Sequence, residues 1–425
     1  MAAETKGRTS PAGGVPAPLT LDDLTADLIW PRLLRAAALA LNPARLGIAF
    51  FAVIALMVVA SLARSIAGPD ADLFGPRLSA LAEFLDAVFS LNGRAAGQAL
   101  YDMFVAAPLA LLRAAPLATL TGALLAVVIT ALAGGAISRM AACEFSLGMT
   151  LPWPQGIAFA LKRLSALLGA ILGPIIIVWV IAALIALGGL LLRIPALNIL
   201  AGLLYGLTLL IALFAALLMG AYALAKPLLI PAVACEGTDA IDALQRGYAY
   251  VFAKPLRLTL YIAILAFEGA LMLFVVGALV WGAATLSHHA AGAIAGDSGR
   301  DILALAHSPV PAADTDTTQN LGLTARPTAW LIRLWLGALW ALWAGYALSF
   351  YFTASTLLYL AIRRVADGQD MNELWLGPPS PGGPGGSSPG TGGNGSAGAP
   401  APTPTPTGAP SGLTAAATPE GSGIE

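Results

Sequence analysis

The chain has 425 residues, of which 58% are hydrophobic and only 11% charged, and its formal net charge is −1. Soluble globular proteins carry about a quarter of their residues as Asp, Glu, Lys and Arg. Much of this protein's surface must therefore contact lipid rather than water. The near-zero net charge argues against a nucleic-acid partner, because such a partner requires a clustered excess of cations.

Six apolar runs are long enough to cross a hydrocarbon core of roughly 30 Å, which about 20 helical residues span. The predicted membrane-spanning helices are about 46–64, 117–137, 165–191, 197–225, 257–285 and 329–362. The predicted fold class is all-α, a polytopic membrane helix bundle with amphipathic surface helices, in a membrane domain over residues 21–364.

The remaining segments are more polar. Residues 1–20 and 365–425 are rich in Gly, Pro, Ser, Thr and Ala and are predicted to be disordered. A first surface helix is predicted at 21–42, and a polar outer loop at 286–328. Residues 78–114 carry apolar stripes at helical spacing that predict interfacial helices, and their sequence leaves open whether they enter the bilayer.

A short amphipathic segment precedes three of the predicted spans. The sequence Ala-Cys-Glu at 142–144 recurs at 234–236, and Lys162 aligns with Lys254 at the same offset. A looser third copy lies at 35–45. We therefore predict an internal repeat, in which a surface helix leads into a spanning helix.

The cations predict the topology. With the N-terminus inside, most of the 22 lysines and arginines lie on the inner side of the predicted spans. The positive-inside rule then predicts a plasma (inner) membrane protein with both termini in the cytoplasm.

Basic residues cluster where the predicted surface helices meet the spans. At headgroup depth each can gain roughly 1 kcal/mol from anionic lipid. The candidate headgroup ligands are Lys162, Arg163, Arg246, Lys254 and Arg257.

Glu268 lies in the middle of the fifth predicted span, where an acid costs several kcal/mol unless it is neutral or paired. It is either a carboxyl group bonded to a neighbouring helix or part of a proton or cation pathway. A pathway needs further polar groups, and Ser349, Thr353 and Thr356 on the sixth span could supply them. Such hydroxyl stripes also serve as packing contacts.

Two glycine pairs have the spacing that allows close helix approach. Gly169 and Gly173 lie on the third predicted span, and Gly202 and Gly206 on the fourth. The pattern predicts that these two spans pack closely against each other.

The chain lacks a P-loop, a dinucleotide fingerprint and a zinc-protease motif. The three histidines, His288, His289 and His307, lack the fixed ligand spacing of a metal site, which favours a solvated loop. We therefore expect no catalytic residue, no cofactor and no metal site.

The stretch Pro231-Ala-Val-Ala-Cys-Glu-Gly237, followed by Arg246-Gly-Tyr248, resembles a segment of uncharacterised bacterial multi-pass membrane domains. One of these is the membrane-anchoring domain fused to some glycerophosphodiester phosphodiesterases. The resemblance covers about 50 of the 425 residues, and those domains usually have Ser-Trp where this chain has Gly-Tyr. It implies a membrane-anchoring domain. Phosphodiesterase activity is not implied, because the resemblance includes no phosphodiesterase catalytic domain.

Together these patterns favour a non-enzymatic membrane scaffold or lipid-interacting protein, whose basic surface helices bind the inner leaflet. The alternative is a small transporter or permease that uses Glu268 and the hydroxyl groups of the sixth span. A water-accessible cavity at Glu268 would favour the transporter, and a dry, enclosed carboxyl group would favour the scaffold.

Overall fold

The structure is a computed structural model that describes residues 30–67, 75–195, 197–307 and 324–375. These residues form helices and turns and contain no β-strand. The predicted all-α class is confirmed.

The helices are given in chain order. The first are α1 (Trp30–Leu33), α2 (Ala36–Ala40), α3 (Pro43–Ala67), α4 (Gly75–Phe89) and α5 (Gly93–Tyr101), which continues through a π-helical turn (Asp102–Ala106) into α6 (Ala107–Ala114). They are followed by α7 (Pro116–Leu147), α8 (Trp153–Lys162), α9 (Leu164–Gly189) with a 3-10 turn (Leu190–Arg193), α10 (Leu197–Glu236), α11 (Ala240–Ala253), α12 (Pro255–Ile294), α13 (Gly296–His307) and α14 (Ala325–Asp367).

Seven helical segments of the described chain are long and apolar enough to cross a membrane. Six of them, α3, α7, α9, α10, α12 and α14, coincide with the predicted spans, and several extend well beyond the predicted bounds. The seventh is Gly93–Ala114, in the region that the sequence predicted as interfacial helices.

Side-chain contacts show which helix ends lie together. Arg45, at the start of α3, contacts Glu144 near the end of α7. Arg139 of α7 donates to the carbonyl oxygen of Ala234 near the end of α10, and Arg363 of α14 contacts the last residue of α10. We call this the basal end of the bundle and the opposite one the distal end. The structure thus brings the start of the first span and the end of the last span to the same end.

The distal end constrains the region between α3 and α7. Val59 and Ala63, late in α3, pack with Ile129 in the first half of α7, so both helices reach the distal end there. The chain between α3 and α7 must therefore cross the membrane an even number of times, or not at all. Helix α4 packs along α5 and the π-helical turn, and the chain reverses at Asn92, whose side chain accepts the N–H of Ala95. Residues 75–114 therefore form a helical hairpin with both of its ends on the distal side.

The π-helical turn anchors this hairpin to the bundle. A π-helical turn shifts the backbone pairing of an α-helix, and lipid offers no water to a carbonyl group left free. Trp179 of α9 donates its indole N–H to the carbonyl oxygen of Phe104 at 3.0 Å. The Phe104 ring packs edge-on against Tyr222 of α10, with 5.6 Å between ring centroids.

The same packing of a short segment on a long helix occurs three times in the bundle. Three helices that run towards the basal end, α7, α10 and α14, pack against one another in the centre. A short segment precedes each outward-running helix: α1–α2 before α3, α8 before α9, and α11 before α12. Helix α8 packs on α7, α11 on α10, and α1–α2 on α14. This three-part arrangement agrees with the repeat predicted from the sequence.

The short segments lie deeper than predicted. Leu33, Ala36 and Ala40 are fully buried, so the described part of the predicted surface helix at 21–42 is packed into the bundle. Residues 21–29 lie outside the described residues. Leu33, Ala36, Leu39 and Ala40 are buried because this face of α1–α2 lies between α12 and α14.

The predicted close packing of the third and fourth spans is present, since α9 packs along α10, but the glycine pairs do not provide it. A Cβ atom at Gly169 would lie 2.6 Å from the Cβ of Ala240, and one at Gly173 would lie 3.0 Å from Leu244. This glycine pair makes room for α11 rather than for α10. Gly202 and Gly206 have no such neighbour within 4 Å.

Two predicted irregular segments are ordered over their described part. Residues 286–307 belong to α12 and α13 rather than to a loop, while 308–323 lie outside the described residues. The predicted tail at 365–425 begins too early, since Met371 is buried and the N–H of Trp375 donates to the Cys235 carbonyl oxygen at 3.0 Å. Residues 1–20 and 376–425 are likewise outside the described part.

The hairpin topology can be tested by labelling. In a background with both buried cysteines replaced by alanine, single cysteines replace Ser65, Ala114 and Thr150. We expect a membrane-impermeant maleimide to reach Ser65→Cys and Ala114→Cys from one side and Thr150→Cys from the other. Labelling of Ser65→Cys and Ala114→Cys from opposite sides would show that Gly93–Ala114 crosses the membrane alone.

Candidate functional site

The basal end carries a network of polar contacts around Glu236, the last residue of α10. Its Oε1 accepts the hydroxyl of Tyr359 and lies 3.6 Å from Nη1 of Arg363, both on α14. Its Oε2 pairs with Arg246 of α11. One carboxylate therefore joins three helices, and removing one partner of a buried ion pair typically costs about 3–5 kcal/mol.

Arg246 and Tyr250 extend this network along α11. Burial alone lowers the pKa of Arg246, but the charge of Glu236 and the nearby tyrosines outweigh it and raise the pKa above its ordinary value. Burial, together with a hydrogen bond to Asp367, raises the pKa of Tyr250. Arg246 stays cationic and bound to Glu236, so this predicted headgroup ligand is engaged within the protein.

A second glutamate at the repeated Ala-Cys-Glu position has a similar role. Oε2 of Glu144 lies 3.0 Å from Nη2 of the fully buried Arg45 and accepts Nδ2 of Asn42 at 3.1 Å. Arg45 also donates to the carbonyl oxygen of Leu39. In the sequence, Arg45 is only the last residue of the looser third copy of the repeat. The signal that could have found it is the pair of equivalent glutamates, each of which needs a cation.

The residues after α14 close the basal end. Arg163 and Arg139 lie 4.9 and 6.0 Å from the ring centre of Trp375. Gly237 has a φ of 62°, and a Cβ atom there would lie 2.4 Å from the Trp375 ring. Arg363 donates to the backbone of this segment at Asp370, at 3.0 Å. Arg163, a second predicted headgroup ligand, is thus engaged by an aromatic ring.

The other predicted headgroup ligands are available. Lys162, Lys254 and Arg257 are exposed, and no described residue forms an ion pair with them. Lys162 ends α8 just before α9, while Lys254 and Arg257 flank the start of α12. They lie at two equivalent junctions of the repeated unit, where a short helix leads into an outward-running helix.

Glu268 holds the N-terminal segment in place. Its side chain is buried, and Oε1 accepts the backbone N–H of Ala37 at 3.0 Å. This amide belongs to the first turn of α2, where helix N–H groups lack partners of their own and favour an acid. At the other end of α2, Ser349 donates to the carbonyl oxygen of Ala40 at 2.8 Å. Two predicted site residues therefore fix the two ends of one short helix.

The other hydroxyl groups of α14 do not extend from Glu268 as a chain. Thr356 donates to the carbonyl oxygen of Phe352 in its own helix at 2.7 Å. Oγ1 of Thr353, the Tyr346 hydroxyl and Oε2 of Glu268 are buried and have no hydrogen-bond partner in the described part of the chain. Glu268 and Ser349 therefore both contact α2. Thr353 and Thr356 make no hydrogen bond to either of them.

Glu268 lines neither of two cavities in the bundle. One, of about 70 Å³, lies between α7, α9, α10 and α14 and includes Tyr222, Tyr351 and Ser355. The other, of about 470 Å³, is an open apolar groove between α3 and α14 that runs from Pro43 to Trp335.

Comparison with known proteins gives no relative. No protein-family model, no curated protein and no solved structure matches the chain. The resemblance of the Pro231–Tyr248 region to membrane-anchoring domains stays a prediction.

Substitution of Glu268 separates a structural role from a charge-dependent one. We expect Glu268→Gln to change the free energy of unfolding in micelles by less than about 1 kcal/mol, because the amide oxygen can still accept the Ala37 N–H. Glu268→Leu leaves that buried N–H unpaired and should cost about 1–3 kcal/mol. Ser349→Ala, which frees the other end of α2, is the matched control with a similar loss. A glutamine variant as unstable as the leucine variant would show that the charge matters.

Proposed function

We propose that this integral membrane protein is a non-enzymatic scaffold that binds anionic lipid headgroups at its basal end. Lys162, Lys254 and Arg257 are the ligands, and the basal end faces the cytoplasm in a plasma (inner) membrane. The observation that carries the proposal is that these three cations are exposed and have no acidic partner in the described residues, whereas Arg45, Arg246 and Arg363 in the same region are paired.

The division among the cations supports this role. Arginines that bind glutamates hold helices together, and each of them already has an acidic partner in the protein. The three unpaired cations stand where a spanning helix begins, which is headgroup depth, and each can gain roughly 1 kcal/mol from an anionic leaflet. The buried position of Glu268 also fits a scaffold, because its carboxyl group holds α2 in place.

A second candidate is the permease. It is favoured by three buried groups without partners in the described chain, namely Oε2 of Glu268, the Tyr346 hydroxyl and Oγ1 of Thr353. Flux of a proton or small cation into vesicles that contain the protein, abolished by Glu268→Gln at unchanged protein level, would establish it in place of the scaffold.

If Lys162, Lys254 and Arg257 bind anionic headgroups, their replacement should weaken the protein's preference for anionic lipid. In nanodiscs of mixed phosphatidylglycerol and phosphatidylcholine, the wild-type protein should enrich phosphatidylglycerol around it, measured by lipid-attached spin labels. Replacing Lys162, Lys254 and Arg257 by glutamine should lower the relative association constant by roughly fivefold at each site, the equivalent of about 1 kcal/mol.

The matched control carries glutamine at Arg64, Arg193 and Arg326, three exposed cations towards the distal ends of their helices. It removes the same charge and should retain the lipid preference in the basal leaflet. Equal losses in both variants would mean that total charge, rather than the basal junctions, sets the preference.

A further inference from the structure

Arg163 lies at the junction where the short helix α8 leads into α9. It follows Lys162, the last residue of α8, and is the N-cap residue of α9. The N-terminus of a helix carries a partial positive charge, which favours an anion and disfavours a cation. The first turn of α9 contains no acidic residue. Two consecutive cations therefore stand at the positive end of a spanning helix, and no acid in that turn balances them.

The guanidinium group of Arg163 has one contact with the described part of the chain. Its Cζ lies over the Trp375 ring, 4.9 Å from the ring centre. Among the described residues it forms no ion pair, and none of its N–H groups donates a hydrogen bond. Because Arg163 is only half-buried, these N–H groups are accessible from the basal surface.

The Trp375 ring is held in place by its surroundings. The N–H of Trp375 donates to the Cys235 carbonyl oxygen at 3.0 Å, and Met371, four residues earlier, is buried. A side chain at Gly237 would collide with the ring, so this glycine provides the space in which the ring lies. A ring held in this way restricts the conformations of the Arg163 side chain above it.

Arg139 of α7 contacts the same ring. Its Cζ lies 6.0 Å from the ring centre of Trp375 and 5.0 Å from that of Phe159. It is buried and donates to the carbonyl oxygen of Ala234, and no described residue forms an ion pair with it. Because water and salt screen a buried charge only weakly, Arg139 adds to the attraction for an anion at Arg163.

We propose that Arg163, positioned by Trp375, binds the phosphate group of an anionic phospholipid in the basal leaflet. This inference rests on the proposed function and adds a ligand to it. A guanidinium group presents its N–H donors in a planar fork that binds phosphate bidentately, and it also stacks on aromatic rings. Trp375 restricts Arg163 before the lipid arrives, so less conformational entropy is lost on binding. Lys162 supplies a second cation beside it.

The test uses the full chain in nanodiscs of phosphatidylglycerol and phosphatidylcholine, with the relative association constant of spin-labelled phosphatidylglycerol as the readout. Arg163→Gln should lower this constant roughly fivefold at the site. Arg163→Lys keeps the charge but loses the fork, and it should lower the constant nearly as much. Trp375→Leu should also lower it, but should cause no further loss when combined with Arg163→Gln. Trp375→Phe should give an intermediate value, because phenylalanine binds cations more weakly than tryptophan.

The matched control is Trp153→Leu, which should leave the association constant unchanged. Trp153 begins α8, is exposed and contacts no cation in the described chain. An Arg163→Lys variant that binds phosphatidylglycerol like the wild type would overturn the proposal. A Trp375→Leu variant that binds it more tightly would do so too, because the ring would then shield Arg163 from lipid.

A second arm distinguishes a lipid headgroup from free phosphate. Inorganic phosphate is titrated into the protein in zwitterionic detergent micelles, where we expect no binding that depends on Arg163. Such binding in micelles, without an effect of Arg163→Gln in nanodiscs, would identify free phosphate as the ligand and overturn the lipid assignment. The two proposals also fail separately. If replacing Lys162, Lys254 and Arg257 lowers the lipid preference and Arg163→Gln does not, only the present inference is refuted.

Discussion

The carboxylate of Glu236 is the contact on which the basal end of this protein depends. It receives Arg246 from the short helix α11 and both Tyr359 and Arg363 from α14. Within a bundle surrounded by lipid, a carboxylate without partners is very costly. Glu236 therefore holds the end of α10, the last turns of α14 and the middle of α11 together, and Glu144 links the end of α7 to the start of α3 in the same way.

Buried polar side chains and small residues also hold the short helices α2 and α11 against the bundle. Glycines make room for α11 against α9, while Glu268 and Ser349 hold α2 by its terminal N–H and carbonyl groups. The Glu268 carboxyl and Ser349 hydroxyl groups, which are costly within a membrane, thus bind the backbone groups at the two ends of α2. The cations left over at the α8–α9 and α11–α12 junctions are the ones that face lipid headgroups in the proposed function.

The spans could be predicted from the sequence because a long apolar run has few other stable environments. The hairpin at 75–114 could not, because the apolar stripes that suggested interfacial helices are equally compatible with packing on α9 and α10. The partner of Glu268 was also hidden, since the Ala37 N–H is a backbone group that every residue except proline has. Arg246 and Arg163 matched the pattern of headgroup ligands, and only the tertiary structure reveals their partners, Glu236 and Trp375.

Glu236 stabilises the bundle through its partners rather than through its own charge. A double-mutant cycle tests it most directly, with unfolding free energies measured in bilayers for Glu236→Gln, Arg363→Gln and the double variant. Glu236→Gln should cost about 3 kcal/mol or more, because it leaves the buried Arg363 without its carboxylate partner. Arg363→Gln should cost less, because Glu236 keeps its pairing with Arg246. The double variant should cost clearly less than the sum of the two. Costs that add to within about 0.5 kcal/mol would show that the two residues act independently and would contradict this account.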